Sequence, residues 1–289
     1  MKHVPENDPG KLSLALRHVP VLSDRPRPLV FAHRGCSSLA PENTMGSFIK
    51  ARDCGAPGIE LDIHVTLDGK LVVAHDDNFI RTGLPDNNGG GKKPEELSYH
   101  EIKRIDVGSF FGTEWVAEKP PLLEEVLEEF CPAMYVDIEL KTRKRKGDPL
   151  PGLLAEKLKA MGKEISSAVT VSSFNPIALK TFKQNWQNII KTESSFTDIP
   201  TAVIFCTDPE VPWFLRRGFG RILAGCDYVK PIHKQVSRLS VFRFSTLEGR
   251  PVIPWTINDS GLAEKMIKAD CEGIITDKPH EVKCGNTND

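Results

Sequence analysis

Residues 29–44 read LVFAHRGCSSLAPENT. The apolar run at the start of this stretch, Leu29 to Ala32, predicts a short buried strand, and the polar pair His33 and Arg34 comes where that strand should stop. Arginine is costly to bury without a partner, so either this strand end is simply solvated or it faces something anionic. The residues from Glu42 onward have the amphipathic pattern of a helix. The stretch therefore predicts one strand–helix unit with a polar strand end.

The same unit recurs along most of the chain. Nine short apolar runs, most of them separated by amphipathic stretches, begin at residues 29, 58, 70, 133, 168, 201, 226, 251 and 273. Alternation of strands and helices predicts a parallel α/β architecture. Eight such units would close a (β/α)8 barrel, or TIM barrel, and an open doubly wound sheet is the alternative. No glycine-rich nucleotide-binding motif follows the first strand, which argues against a dinucleotide or P-loop site.

One segment interrupts this alternation. Residues 79–119 are rich in turn-forming residues, and we interpret them as an insertion after the second strand. No linker divides the remaining chain. We therefore expect a single domain over residues 26–283, preceded by an N-terminal extension over residues 1–25.

The bulk composition limits the partners. The 289 residues are 39% hydrophobic and carry a net charge of −1, which supports a sizeable core and gives no general attraction to nucleic acid. No apolar run approaches the roughly 20 residues that span a bilayer, and the N-terminus lacks the apolar segment of a signal peptide. The seven cysteines lack paired CxxC spacing, which predicts free thiols. A cytoplasmic location is the resulting expectation, and the oligomeric state is left open.

Two strands carry carboxylates on one face. Because side chains alternate along a strand, Glu60, Asp62 and His64 face the same way. Two carboxylates spaced by about 6–7 Å on a buried strand repel each other and need protonation, a basic partner or a metal ion. Carboxylate oxygens are ligands that Mg²⁺ and Ca²⁺ prefer.

The run at residue 133 repeats this pattern with Asp137, Glu139 and Lys141. In a barrel the carboxyl ends of all strands meet at one rim, so Glu139 could complete a three-carboxylate cation site. Lys141 would then direct a positive charge toward an anionic substrate, although an ordinary network of salt bridges is the alternative. His75 ends an apolar run as His33 does, and histidine is a natural acid or base near neutral pH.

These residues belong to a set of motifs that follow one another along the chain in this order: AHRG, PENT, ELDIHVTLDGKLVVAHD, DIELK, VSSFNP, PWTIND and GIITDKP. Their order and spacing over residues 31–279 resemble the glycerophosphodiester phosphodiesterase (GDPD) family. The resemblance implies a TIM barrel with a small insertion after the second strand, which residues 79–119 fit.

The resemblance also implies roles for individual side chains. Glu60, Asp62 and Glu139 match the ligands of one divalent cation, Mg²⁺ or Ca²⁺, and His33 and His75 match an acid–base pair. Arg34 and Lys141 match the phosphate-binding cations, and Trp255 matches an aromatic residue that lines the substrate pocket.

The function that the resemblance implies is metal-dependent hydrolysis of glycerophosphodiesters, such as glycerophosphocholine, to glycerol 3-phosphate and an alcohol. Three alternatives stay open: a lysophospholipase D-type hydrolase acting on lysolipids, a phospholipase D-like lyase that forms a cyclic phosphate, and a non-catalytic binder of phosphodiesters. His33 is assigned as the base and His75 as the acid, although these roles could be exchanged. The attacking group is either water or the neighbouring glycerol hydroxyl.

Two further segments have open interpretations. Residues 143–146, RKRK, could attract anionic substrates or form a solvated loop. Residues 211–223, VPWFLRRGFGRIL, mix aromatic and basic side chains as an interfacial helix does, so membrane contact is possible. A buried part of the barrel wall is the default expectation for that segment.

Overall fold

A ring of parallel strands forms the core of the computed structural model, which describes residues 21–22, 24–83 and 91–282. The strands are β1 (Leu29–His33), β2 (Gly58–Val65), β3 (Leu71–Val73), β4 (Tyr135–Leu140), β5 (Val169–Ser173), β6 (Thr201–Phe205), β7 (Tyr228–Pro231) and β8 (Gly273–Thr276). Seven of them pair in parallel in the order β7-β6-β5-β4-β2-β1-β8. The strands curl until only a gap between β7 and β8 is left.

Residues 251–257 fill that gap. The N–H of Val229 in β7 donates to the carbonyl of Pro251, and the N–H of Ile253 returns a bond to Val229. On the other side, the N–H of Ile275 in β8 donates to the carbonyl of Pro254. The segment contains prolines, which have no N–H to donate. It therefore hydrogen-bonds to both β7 and β8 but forms no continuous ladder of backbone hydrogen bonds with them. It completes the predicted eight-stranded barrel as an irregular eighth wall, and the predicted fold class is confirmed.

Helices surround the ring on its outer face. They are α1 (Met45–Asp53), α2 (Tyr99–Ile102), α3 (Leu123–Phe130), α4 (Leu150–Met161), α5 (Lys163–Ser166), α6 (Pro176–Thr192), α7 (Gly220–Ala224), α8 (Arg238–Val241) and α9 (Ser260–Lys268). Short 3-10 helices lie at Pro94–Glu96, Thr113–Trp115 and His233–Gln235, and a π-helical segment follows α8 at Phe242–Leu247. Outward-facing strand residues such as Ile59, Leu61 and Val136 pack with apolar helix residues in one large core. Among the described residues, no helix combines the length and apolar character needed to cross a membrane.

The run at residue 70 is the exception to the predicted alternation. β3 pairs antiparallel with β2, with Ile63 opposite Val73, so it forms a hairpin outside the parallel ring. The residues after it carry α2 and two of the 3-10 helices, and a separate apolar cluster that includes Phe79, Leu97 and Ile102 holds them on the barrel. Residues 84–90 of the predicted insertion lie outside the described residues. The described part extends one edge of the rim at which β2 ends.

The domain limits drawn from the sequence stay a prediction. Most of the expected N-terminal extension, residues 1–20 and 23, lies outside the described residues, as does residue 283. Val21 and Leu22, which belong to that extension, are buried against the amino end of the barrel. The N–H of Val21 donates to a carboxylate oxygen of Glu272 at 3.1 Å.

The interior of the barrel is apolar at its amino end and polar above it. The floor consists of inward-facing side chains that include Phe31, Tyr135, Tyr228, Ile253 and Ile275. The edge of the Phe31 ring meets the Tyr135 ring with centroids 4.8 Å apart. The Tyr135 hydroxyl donates to the carbonyl of Val30 at 3.1 Å, which fixes the ring in place.

Gly58 leaves the space that the Tyr135 ring occupies. A Cβ at Gly58 would lie 2.0 Å from two carbons of that ring. Because the Tyr135 hydroxyl is anchored, the ring has little freedom to move away. We therefore expect Gly58→Ala to lower the free energy of unfolding by about 1–3 kcal/mol, measured by urea denaturation.

Gly152→Ala is the matched control. Gly152 lies in α4, and a Cβ there would have its nearest neighbour, a side-chain atom of Asn185, at 3.8 Å. Alanine is a better helix former than glycine, so this variant should be as stable as the natural protein or slightly more so. Equal denaturation midpoints for both alanine variants would contradict the packing argument.

Candidate active site

Three carboxylates converge at the carboxyl end of the barrel. β2 and β4 are neighbours, and their register places Asp62 beside Glu139 and Glu60 beside Asp137. Carboxylate oxygens of Glu60, Asp62 and Glu139 all lie within 4.8 Å of one another. All three residues are buried, with 2%, 1% and 7% of their surface exposed. The predicted cluster is thus assembled from two adjacent strands.

The neighbouring side chains shift the pKa of Glu60 and the pKa of Asp62 in opposite directions. Burial and the negative charge of Asp62 raise the pKa of Glu60 well above its usual value. Burial acts in the same direction on Asp62, but Lys141 and Arg34 outweigh it and hold the pKa of Asp62 well below its usual value. The Lys141 Nζ lies 3.6 Å from Asp62 Oδ1, and the Arg34 Nε lies 3.4 Å from Oδ2. Lys141 forms ion pairs with both Asp62 and Glu139, whereas among the described residues no lysine or arginine side chain forms one with Glu60.

Two polar residues that the sequence analysis did not assign support the cluster. The Asn43 side-chain amide donates to Asp62 Oδ2 at 2.9 Å and accepts from the Asp62 N–H at 3.3 Å. Asn43 adopts a left-handed φ of 56°, which asparagine tolerates better than most residues. The motif PENT contains it, but no spacing rule connects it to Asp62.

Lys230 is the other unassigned residue, and it is almost fully buried below the cluster. Its Nζ donates to Asp137 and, at 2.9 Å, to the Ser172 hydroxyl. Although burial lowers the pKa of Lys230, the negative charges of Asp137 and Glu60 raise it above its usual value. A lysine inside the apolar run at residue 226 is the signal that could have indicated it.

The two predicted phosphate-binding cations lie against these acids. Arg34 has a left-handed φ of 57°, and its backbone N–H donates to the Glu60 carboxylate at 3.1 Å. Its guanidinium donates to Glu42 at 2.8 Å. Burial lowers the pKa of Arg34, but the negative charges of Asp62 and Glu42 outweigh burial and raise that pKa above its usual value. The Lys141 ammonium donates to Glu139 at 3.0 Å. Both cations border the space between the carboxylates and the rim.

The loop after β1 turns sharply to bring Arg34 to this position. Gly35 has a φ of 84°, and a Cβ there would lie 2.6 Å from the backbone carbon of Ser47. Only glycine suits that conformation and that contact. The next residue, Cys36, directs its side chain away from the carboxylate cluster. Burial and the neighbouring Cys54 raise the pKa of its thiol to about 11, so it is a poor nucleophile.

His33 is held by an acid at the end of β8. Its Nδ1 lies 2.6 Å from Asp277 Oδ1, and its Nε2 lies 4.0 Å from a Glu60 oxygen. Asp277 also accepts from Ser37 at 3.2 Å and from Asn258 at 2.5 Å. Burial raises the pKa of Asp277, but the bond from His33 and the Asn258 amide bring it below its usual value. An ionised carboxylate only accepts, so the Nδ1 of His33 donates and Nε2 faces the cluster.

His75 has the same kind of support on the opposite side. Its Nδ1 lies 2.6 Å from Asp76 Oδ1, and Arg81 donates to the second oxygen of Asp76 at 2.7 Å. The bond from His75 is the largest influence on Asp76 and holds its pKa well below its usual value. Arg81 also donates to both oxygens of Glu42, at 2.8 and 2.6 Å, which connects this side to Arg34.

The remaining predicted residue, Trp255, lies at the rim end of the segment that closes the barrel. Its indole N–H donates to the Lys230 carbonyl at 3.0 Å, and its ring meets the edge of Phe174 at a centroid distance of 5.8 Å. The alternation of side chains along β2 predicted His64 on the same face as Glu60 and Asp62. The His64 side chain does not join the carboxylate cluster and makes a local contact instead. It is buried, and its Nε2 contacts the His75 carbonyl at 3.3 Å.

The chain as a whole matches a known family. The sequence pattern of the glycerophosphoryl diester phosphodiesterase family matches residues 33–281. The chain belongs to this family. As a member of the GDPD family it is a hydrolase of phosphodiester bonds. Enzymes of the family are generally metal-dependent, and the three-carboxylate cluster could bind a metal ion.

Individual relatives agree over nearly the whole chain. A glycerophosphodiester phosphodiesterase of Caldanaerobacter subterraneus is 33% identical over 267 residues, which cover 87% of this chain and 94% of that protein. One of Bacillus subtilis is 30% identical over 277 residues, 90% of this chain and 87% of the relative. The structure of an Oleispira antarctica phosphodiesterase in complex with the product sn-glycerol-3-phosphate has a TM-score of 0.72 at 26% identity. It covers 89% of this chain and 95% of that one.

Asp277→Asn tests the support of His33. Asparagine keeps the size of the side chain but removes the anionic acceptor that fixes the donor at Nδ1. We expect kcat to fall by about 10- to 1,000-fold with little change in KM, because a positioned acid–base group contributes about 10²–10⁴-fold. Steady-state kinetics on glycerophosphocholine would measure both constants.

Asp259→Asn is the control for this variant. Asp259 caps α9, where its side chain accepts from the Leu262 N–H, and asparagine caps helices equally well. Its kinetics should match those of the natural protein. An Asp277→Asn enzyme with an unchanged kcat would show that the carboxylate does not support catalysis.

Proposed function

We propose that the chain hydrolyses glycerophosphodiesters, such as glycerophosphocholine, to glycerol 3-phosphate and an alcohol, with one divalent cation at Glu60, Asp62 and Glu139. The observation that carries this proposal is the juxtaposition of three buried carboxylates within 4.8 Å with an imidazole supported by Asp277. The family match and the product named for the Oleispira antarctica relative support the same substrate class.

The donor set suits a hard cation. All three candidate ligands are carboxylates, whose oxygens Mg²⁺ and Ca²⁺ prefer. Burial and mutual repulsion make these acids costly to keep ionised together, and a divalent cation would relieve that repulsion. When bound there, such a cation supplies Lewis-acid screening of the negative phosphodiester oxygens.

The two imidazoles are proposed to move the protons. We assign His33 as the base that deprotonates the attacking hydroxyl group, because its Nδ1 donates to Asp277 and leaves Nε2 able to accept a proton. We assign His75 as the acid that protonates the leaving alcohol, with Asp76 stabilising the charged imidazole at 2.6 Å. The attacking group is proposed to be water or, by way of a cyclic phosphate that is later opened, the neighbouring glycerol hydroxyl.

Arg34 and Lys141 are proposed to hold the phosphate. Both are positively charged, only 17–18% of each side chain is exposed, and both border the carboxylate cluster. The buried Arg34 Nε lies 3.4 Å from Asp62 Oδ2 without a hydrogen bond to any described residue, so its N–H could still donate to a phosphate oxygen. Trp255 would form one apolar side of the substrate pocket.

Glu60→Gln tests the cation. The amide keeps the size of the side chain but removes the charge of one proposed ligand. We expect kcat/KM for glycerophosphocholine to fall by at least about 100-fold, and the remaining activity to lose its response to added Mg²⁺ or Ca²⁺. Phosphorus NMR of the reaction would follow the rate and would separate glycerol 3-phosphate from a cyclic phosphate.

Glu118→Gln serves as the comparison. Glu118 is half-buried outside the cluster, and burial raises its pKa as it does that of Glu60. This variant should keep the full response to divalent cations. Natural protein that stays fully active in excess chelator would remove the cation from the proposal, and a cyclic phosphate as final product would favour the lyase.

A second candidate function, hydrolysis of lysolipids, is favoured by an apolar surface near the same rim. The loop after β6 and the short helix α7 expose five large apolar side chains: Trp213, Phe214, Phe219, Ile222 and Leu223. Trp213 is 79% exposed, so this segment is not the buried barrel wall that the sequence favoured. Arg221, in contrast, is buried and donates to both oxygens of Glu248. The apolar surface could accept an acyl chain.

Trp213→Ser tests the second candidate. Burying a large apolar side chain against an acyl chain contributes about 1.5–3 kcal/mol. If lysophosphatidylcholine uses this surface, its kcat/KM should fall about tenfold or more, while that of glycerophosphocholine stays unchanged. Ile49→Ser, which removes an exposed apolar side chain of α1, should change neither. Equal lysolipid turnover by both variants would exclude this surface from substrate binding.

A further inference from the structure

A second group of metal-ligating side chains lies outside the carboxylate cluster. It consists of Cys36 in the loop after β1, Cys54 at the end of α1, and His280 in the turn after β8. One ligand atom from each, two sulfurs and a ring nitrogen, lies within 4.8 Å of the other two. These residues are far apart in sequence and show none of the CxxC spacing of a zinc ribbon. The fold alone brings them together.

One distance in this group nearly equals that between two ligands of a tetrahedral ion, and the other two are at most 4.8 Å. The Cys36 Sγ lies 3.7 Å from the His280 Nδ1. Zinc with ordinary bond lengths of about 2.3 Å to sulfur and about 2.0–2.1 Å to nitrogen, in tetrahedral geometry, separates these two ligand atoms by about 3.6 Å. Little movement would therefore be needed to close the site around such an ion.

The histidine is also oriented for ligation. Its Nε2 lies 3.5 Å from a carboxylate oxygen of Glu281. Glu281 also accepts from Lys278, and its negative charge favours the tautomer of His280 with the proton on Nε2. That tautomer leaves the lone pair of Nδ1 on the side of the Cys36 sulfur, and a carboxylate near the other ring nitrogen is common for metal-binding histidines.

The exposure of these three side chains would let an ion enter the site from solvent. Cys36 is fully buried, whereas Cys54 is partly exposed and the His280 side chain is 27% exposed. Three protein ligands would leave one position of a tetrahedral ion to be filled by solvent, which reaches the site beside Cys54 and His280. Two thiolates and one imidazole are soft to borderline ligands, which favour Zn²⁺ over the hard Mg²⁺ or Ca²⁺ of the carboxylate cluster.

We propose that Cys36, Cys54 and His280 form a zinc site, separate from the carboxylate cluster, with a fourth position open to solvent. A zinc ion there would join the loop after β1 to the turn after β8. The same two segments already meet where the Ser38 N–H and hydroxyl donate to the Asp277 carbonyl at 3.2 and 2.8 Å. The ion would therefore stabilise the connection that also positions Asp277 beside His33.

Titration with Co²⁺ in place of Zn²⁺ tests the site on the full, reduced chain after removal of metal with a chelator. Cobalt bound by thiolate gives a charge-transfer absorption band that cobalt bound by carboxylates lacks. We expect this band to saturate at one thiolate-bound ion per chain and to disappear when Zn²⁺ is added. Glu60→Gln should leave it unchanged, and Zn²⁺ should raise the melting temperature of the natural protein.

The variants Cys54→Ala and His280→Ala should each weaken Co²⁺ binding at least tenfold and reduce the rise in melting temperature. Cys131→Ala is the matched control, because Cys131 is also a partly exposed cysteine that follows the last residue of a helix. It should bind as the natural protein does. Circular dichroism would show that each variant is folded.

Three results would overturn the zinc site. They are the absence of a thiolate band in the natural protein, an undiminished band in Cys54→Ala or His280→Ala, and loss of the band in Cys131→Ala. Because the band reports thiolate ligation and not turnover, each result is independent of the proposed reaction at the carboxylate cluster.

Discussion

Three carboxylates from two adjacent strands share one buried space, and the rest of the barrel interior compensates for their repulsion. The pairing of Asp62 with Glu139 and of Glu60 with Asp137 fixes this arrangement, since inward-facing side chains of neighbouring parallel strands must lie side by side. Unpaired buried charges are strongly destabilising. The interior therefore has to supply opposite charge close by, and the positions of its cations follow from this need.

The cations meet that need at two levels. Lys230 neutralises Asp137 from below the cluster, and Arg34 and Lys141 lie beside Asp62 toward the rim. Burial and the negative charge of Asp62 keep the pKa of Glu60 well above its usual value, although Lys230 acts in the opposite direction. Compensation is therefore least complete at Glu60, whose carboxylate lies 4.0 Å from the His33 Nε2. That remaining negative charge would favour a divalent cation, whereas an anionic phosphodiester would be attracted by Arg34 and Lys141.

Each imidazole is held by an acid, one distant in sequence and one adjacent. Asp277 reaches His33 only because β8 closes the ring beside β1, and Asp76 sits next to His75 beyond the β3 hairpin, where Arg81 fixes it. The irregular segment at residues 251–257 is part of the same closure, since it fills the gap between β7 and β8 and carries Trp255 to the rim. The contacts that close the barrel therefore also bring the residues of the site together.

The sequence by itself predicted alternating strands and helices and placed Glu60 and Asp62 on one face of a strand and Glu139 on the face of another, because alternation along a strand is a local rule. Periodicity left open whether the sheet closes into a barrel that joins Glu139 to the other two, and the resemblance of the motifs to the GDPD family favoured that outcome. The sequence also placed His33 and His75 at the ends of apolar runs. Tertiary structure alone decided the roles of Asn43, Lys230 and Asp277, whose partners are distant in sequence. It turned the run at residue 70 into an antiparallel hairpin, and it exposed Trp213. It also brought Cys36, Cys54 and His280 together. No periodicity encodes contacts between loops, since these depend on how the whole ring closes.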